Sequence, residues 1–227
     1  MKKIFFAITL FCCLALTATA QQLRVHQGTV TYVYPASLLE TMTYSDGGQT
    51  LTILGRPFST AAIDSIKVTG AGSYTPKSIS VDYAGNKAFV TVSGDIAALV
   101  TVNVDGANVG ILADAALQEE VTYTLSGTSE GGSFFMDGEF KSTVVLNNLN
   151  LTSTTGTAID IENGKRIAVV LPEGTASTLA DAAGGTHKAC FFINGHAEFS
   201  GAGTLNLRGN TKHAYASDEY TQFKSDF

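Results

Sequence analysis

Apolar and polar positions alternate with period two along most of the chain. Thr29-Val30-Thr31-Tyr32-Val33, Thr50-Leu51-Thr52-Ile53-Leu54, Ile79-Ser80-Val81-Asp82-Tyr83, Val100-Thr101-Val102-Asn103-Val104 and Val121-Thr122-Tyr123-Thr124-Leu125 each predict a strand with one buried face. Gly, Asn and Asp interrupt these runs at short intervals, and the 23 glycines mark turns rather than a low-complexity tract. Thr60 to Ile66 and Ile111 to Glu120 have room for a helical turn. The pattern predicts an all-β protein.

A repeat organises the second half. Asp137-Gly138, Asn163-Gly164 and Asn194-Gly195 each separate two short apolar strands. The flanking pairs are Phe134 to Met136 with Thr143 to Leu146, Ile159 to Ile161 with Ile167 to Leu171, and Cys190 to Ile193 with Ala197 to Phe199. Ala214-Tyr215-Ala216 opens a fourth copy. The three glycines are 26 and 31 residues apart, a loose period that suits the coil of a solenoid. The expected fold is therefore a right-handed parallel β-helix, with strands of one coil stacked on those of the next. A two-residue hairpin also uses Asn-Gly, so a hairpin sandwich is the competing arrangement. The coils are expected over 78–227, after a β leader at 21–77 that caps the first coil. Since Phe227 follows just after the fourth copy opens, a partial chain is expected.

Length and charge add an address. The chain has 227 residues and opens with Met1-Lys2-Lys3, an apolar run from Ile4 to Leu16, and Ala18-Thr19-Ala20. Those are the parts of a secretory signal peptide over 1–20, and the run is too short to span a bilayer. The product is expected outside the cytoplasm, in the periplasm, at the cell surface or beyond. Removing the segment leaves 12 basic and 20 acidic residues, a net charge of −8, which argues against a nucleic-acid partner. Cys12 and Cys13 leave with the signal, so Cys190 has no intrachain disulfide partner.

Asn163-Gly164-Lys165-Arg166-Ile167, Glu173-Gly174-Thr175, Thr178-Leu179-Ala180-Asp181, Lys188-Ala189-Cys190, Gly195 to Gly201 with Gly203-Thr204-Leu205, and Lys212-His213-Ala214 together resemble a bacterial family of exported, calcium-binding carbohydrate-binding proteins. The resemblance covers about residues 120 to 227. It implies a right-handed parallel β-helix similar to that of pectate lyases, a cellulosic or acidic pectic ligand, and calcium. No residue-level motif of that family maps onto this chain.

Candidate chemistry follows from the residues. Asp160 and Glu162 flank Ile161 and so share the outer face, ~7 Å apart. With Asp181, Asp218 and Glu219 they are the candidate calcium ligands, since Ca²⁺ takes six to eight oxygens and turns supply carboxylates and carbonyls together. No linear calcium loop is present, and for each residue a solvated outer face is the plainer reading. Tyr215 and Tyr220 are the candidate sugar-stacking rings and Lys165 and Arg166 the candidate cations, while Trp is absent. Cys190 among Phe residues reads as an inert core thiol.

Two carboxylates placed for glycoside hydrolysis are not recognisable. A lyase needs a Lys or Arg base, which Lys165, Arg166, Lys188 and Lys212 can supply, so a calcium-dependent polysaccharide lyase is the enzymatic alternative and a structural adhesin the other. The leading expectation is non-catalytic binding of a polysaccharide with calcium assistance. Mass spectrometry of the exported product is expected to find Gln21 at its N-terminus; a product retaining Met1 contradicts the signal reading.

Overall fold

The computed structural model describes residues 21–39, 41–70 and 72–224. The expected signal segment, with Cys12 and Cys13, lies outside them. The alternating runs are strands, and side chains pointing to one face of each are buried. In chain order they are β1 (Gln22–Gln27), β2 (Val30–Pro35), β3 (Met42–Ser45), β4 (Thr50–Ile53), β5 (Arg56–Ser59), β6 (Ser65–Thr69), β7 (Ser78–Ala84), β8 (Lys87–Ser93), β9 (Val100–Asp105) and β10 (Asn108–Ala113). The second half adds β11 (Val121–Ser129), β12 (Ser133–Asp137), β13 (Ser142–Thr152), β14 (Ile159–Glu162), β15 (Ile167–Leu171), β16 (Ala176–Ala180), β17 (Ala189–Ile193), β18 (Ala197–Gly201), β19 (Thr204–Arg208), β20 (His213–Ser217) and β21 (Thr221–Phe223).

Three sheets result among the described residues. The first runs β21-β18-β15-β13-β11-β7-β8-β2-β1-β6, with β16 bridging β13 and β19; the second runs β20-β17-β14-β12-β10-β9; β3, β4 and β5 form the third. From β10 and β11 onward the pairs are parallel. By contrast β1/β2, β1/β6, β7/β8, β9/β10 and the whole third sheet are antiparallel.

This mixture corrects the expected right-handed parallel β-helix over 78–227. The fold is all-β with three sheets, the two large ones mixed and the third antiparallel, and the two large ones are layered on a shared core, closer to a sandwich or jellyroll. The physical cause lies in two tight turns. Gly85 at φ 64° in Ala84-Gly85-Asn86-Lys87 and Gly106 at φ 59° in Asp105-Gly106-Ala107-Asn108 reverse the chain and pair β7 with β8 and β9 with β10 as hairpins. Gly-Asn and Asp-Gly carry that signal locally, and the Asn-Gly spacing of the second half does not extend to them. Around Asn163-Gly164 there is no hairpin, because β14 and β15 enter different sheets.

The core fills the space between the large sheets. Tyr123 of β11 meets Phe134 of β12 edge-on with centroids 6.2 Å apart, and Phe191 of β17 meets Phe199 of β18 at the same distance. Cys190 is fully buried there, and burial, with Asp181 adding, pushes its thiol up to about 12. The first sheet turns a corner along β11 and β13, where their register shifts after Ser126. Asn148 takes φ 53° and its side chain accepts the Ala176 N–H at 3.0 Å, so β13 pairs with β15 before the corner and β16 after it.

Gly127, at φ 86°, sits on the corner in β11, and a Cβ there would overlap the Tyr83 backbone carbonyl. Gly127→Ala is expected to destabilise by more than ~2 kcal/mol in a denaturant titration. Gly85→Ala, with open space around its Cβ, is expected to cost about 1 kcal/mol.

Candidate functional site

The outer face of the second sheet is built by the same register that fills the core. Inward go Val109, Ile111, Phe134, Met136, Ile159, Ile161, Phe191 and Ile193, all buried. Their neighbours therefore point out, and the ladder sets Asn103, Gly110, Phe135, Asp160, Phe192 and Ala216 in one row across β9 to β20. The next row brings Thr101, Leu112, Asp137 and Glu162 together. On the other side Ser133 Oγ donates to Asn108 Oδ1 at 2.8 Å.

Phe135 is half-buried and stands beside Gly110, whose missing side chain leaves one flank of the ring open. An open groove of about 760 Å³ begins there, walled by Gln27, Thr29, Asn103, Asp105, Asn108 and Phe135 among others. On the ring's other side Asp160 is half-buried, and its Oδ1 is buried without a hydrogen-bond partner. Burial first, and Glu162 second, raise the Asp160 carboxyl to about 6, while Lys188 and His187 pull it down. Glu162 accepts from Asn194 Nδ2 at 3.0 Å. Phe192 is covered by the Lys188 ammonium, 4.5 Å from its ring centroid, and Lys188 is held by both oxygens of Asp218 at 2.8 and 2.9 Å.

Of the residues singled out in the sequence, Asp160, Glu162 and Asp218 therefore border one face, and the others are dispersed. Asp181 is buried and ties two loops, accepting from the Asn210 N–H at 2.5 Å, the Thr211 N–H at 3.2 Å and His187 Nε2 at 2.8 Å. Glu219 lies 3.8 Å from His196. Tyr220 is exposed and stacks on the His196 ring, 4.7 Å away, whereas Tyr215 packs edge-on against Phe191 and Phe199. Arg166 is spent on both oxygens of Glu120 at 2.9 Å, with Glu198 at 3.6 Å, and Lys165 shares a hollow of about 490 Å³ with it. The lyase alternative thus finds its candidate base Arg166 locked in an ion pair.

The five carboxylates do not fit a calcium ion as a set. Asp181 has its oxygens taken by protein donors, Asp218 is neutralised by Lys188, and Glu219 stands by His196. Among the described residues no group of three or more His, Cys, Asp or Glu is placed to hold a metal. Phe135, Asn103 and Asn108 went unrecognised in the sequence. A signal existed in Phe134-Phe135-Met136, since alternation must leave the middle ring on the polar face.

A family model described as carbohydrate-binding domain-containing protein matches residues 105–225, which hold β10 to β21. The chain belongs to that family. All of the outer face except β9 falls inside this carbohydrate-binding domain. Among solved structures it is similar to a polysaccharide lyase-like protein from C. thermocellum, solved as a gadolinium derivative, with 19% identity and a TM-score of 0.51. The alignment covers 64% of this chain and 58% of that one, and at such identity it speaks for the fold alone. A search of curated proteins gave no match. No helix among the described residues is long and apolar enough to cross a membrane.

Asp181 predicts an acid-sensitive loop closure. Burial acts to raise its carboxyl, but the Asn210 N–H, His187 and the Thr211 N–H outweigh it and hold it below the ordinary 3.8. A depressed folded pKa adds stability that is present above the unfolded value and lost as pH falls through the folded one. Asp181→Asn is expected to lose about 1–3 kcal/mol at pH 7. Its melting temperature should also fall less steeply than the wild type's below about pH 4 in melts across pH 2 to 7, the remaining fall coming from Glu120 and Glu198, which their cations also hold below the usual range.

Proposed function

We propose that the domain binds an uncharged polysaccharide laid across the outer face of the second sheet. The observation carrying this reading is Phe135 beside Asp160: an open ring for the apolar face of a sugar, next to a carboxylate that accepts its hydroxyls. Asn103, Asn108 and Asn194 add neutral donors and acceptors along the same face. Six strands at ~4.8 Å spacing make the face about 24 Å wide, enough for an extended chain.

Charge favours a neutral ligand. Asp105, Asp137, Asp160, Glu162 and Asp218 gather here against Lys188 and Arg56, so a polyuronate meets a net excess of acid. The family assignment supports carbohydrate binding, and the likeness to a protein titled polysaccharide lyase-like is in keeping with a polymer.

In affinity electrophoresis through hydroxyethyl cellulose, Phe135→Ala is expected to weaken retention about tenfold, or ~1.4 kcal/mol. Asp160→Asn is expected to weaken it too while raising stability at pH 7 by up to ~2 kcal/mol after solvent screening. The sign follows from a folded pKa above the unfolded one: ionising Asp160 penalises the folded state increasingly as pH rises from 3.8 to about 6. Retention untouched by Phe135→Ala would refute the reading.

A further inference from the structure

The outer face of the first sheet carries hydroxyls in register. Thr31, Thr91, Ser80 and Thr124 form one row across β2, β8, β7 and β11. Beside it Ser78 and Thr122 are paired, and the Ser78 N–H donates to Ser93 Oγ at 3.0 Å. Over these rows lies a groove of about 270 Å³, and Arg24 and Tyr74 stand in its wall.

Several features make this groove more than a gap. Among the described residues, no hydrogen bond engages the hydroxyls of Ser80, Thr91, Thr122 or Thr124. The Tyr74 hydroxyl donates to Asp95 Oδ1 at 2.8 Å, which holds the ring in place. Arg24 is oriented by Gln22 Oε1, 3.1 Å from its Nη2, and Gln22 is itself fixed by donating to the Gly72 carbonyl at 2.8 Å. The Arg24 Nε is buried without a partner. No carboxylate lines the groove, so the guanidinium meets no acid there on a molecule that is acidic overall.

We infer that this groove is a second carbohydrate site, one that takes a single sugar ring carrying a negative group. Its volume falls below the ~300–1,000 Å³ of pockets for drug-sized ligands, which limits it to about one ring. The free hydroxyls exchange hydrogen bonds with the ring's own hydroxyls, Thr methyls and the Tyr74 ring cover its apolar side, and Arg24 pairs with the charge. It shares no lining residue with the groove beside Phe135 and opens on the other large sheet. Most of its lining precedes residue 105, outside the matched family region.

Titration calorimetry of the exported chain with glucuronic acid, glucose and inorganic sulfate separates the possibilities. Glucuronate is expected to bind at least tenfold more tightly than either comparator. Arg24→Gln should erase its advantage over glucose, and the double variant Thr91→Val with Thr124→Val should weaken glucuronate at least fivefold. Thermal melts check that each variant is folded, and exchange of half-buried Thr for Val keeps side-chain shape. Equal affinity for glucose and glucuronate, or indifference to both groove substitutions, would overturn the assignment. Sulfate bound as tightly as glucuronate would reduce the groove to an anion site and overturn it as well.

Discussion

The parallel register that sets Phe134 against Ile159, and Ile159 against Phe191, buries these three side chains, and by doing so it obliges Phe135, Asp160 and Phe192 to face out. A slip of one residue in any ladder would exchange the two sets, placing a carboxylate in the core and a branched aliphatic in water. Core packing and the composition of the outer face are therefore one constraint seen from two sides. The strand pairs also hold the outward groups at fixed spacing, which a loop cannot do as well.

Two aspartates show how differently the same side chain is treated. Asp181 is surrounded by donors and closes the loops after β16 and β19, so its charge is stabilised by the fold. Asp160 receives no such help on Oδ1 and carries a neighbouring Glu162, so its charge is maintained at a cost. One carboxylate is satisfied by the fold and the other is left wanting, a contrast that burial alone would not reveal.

The strands were legible because period-two alternation is a local property, and the runs at Thr50 to Leu54, Ile79 to Tyr83 and Val121 to Leu125 all lie in strands apart from Leu54. Sheet membership was not, since it depends on what each turn does with direction. Asn163-Gly164 passes the chain from one sheet to another, whereas Asp105-Gly106 folds it back on itself. Dipeptides of one type thus serve opposite topologies, and the repeat over-ruled the local hairpin signal. For the site, alternation around Ile161 put Asp160 and Glu162 on one face, while the burial of Asp181 depends on Asn210 and Thr211, some 30 residues away. Phe135 was hidden by its neighbours, for a run of three apolar residues reads as core.

Cys190 is the one cysteine among residues 21–224, and it sits fully buried on β17, the strand that also carries Phe192. Its pKa near 12 and lack of exposure leave it unreactive while the strand is docked. A thiol reagent therefore reaches it only through opening of that part of the second sheet. The residue works as an internal clock, its labelling rate counting how often the floor beneath the outer face comes apart while the molecule stays otherwise folded.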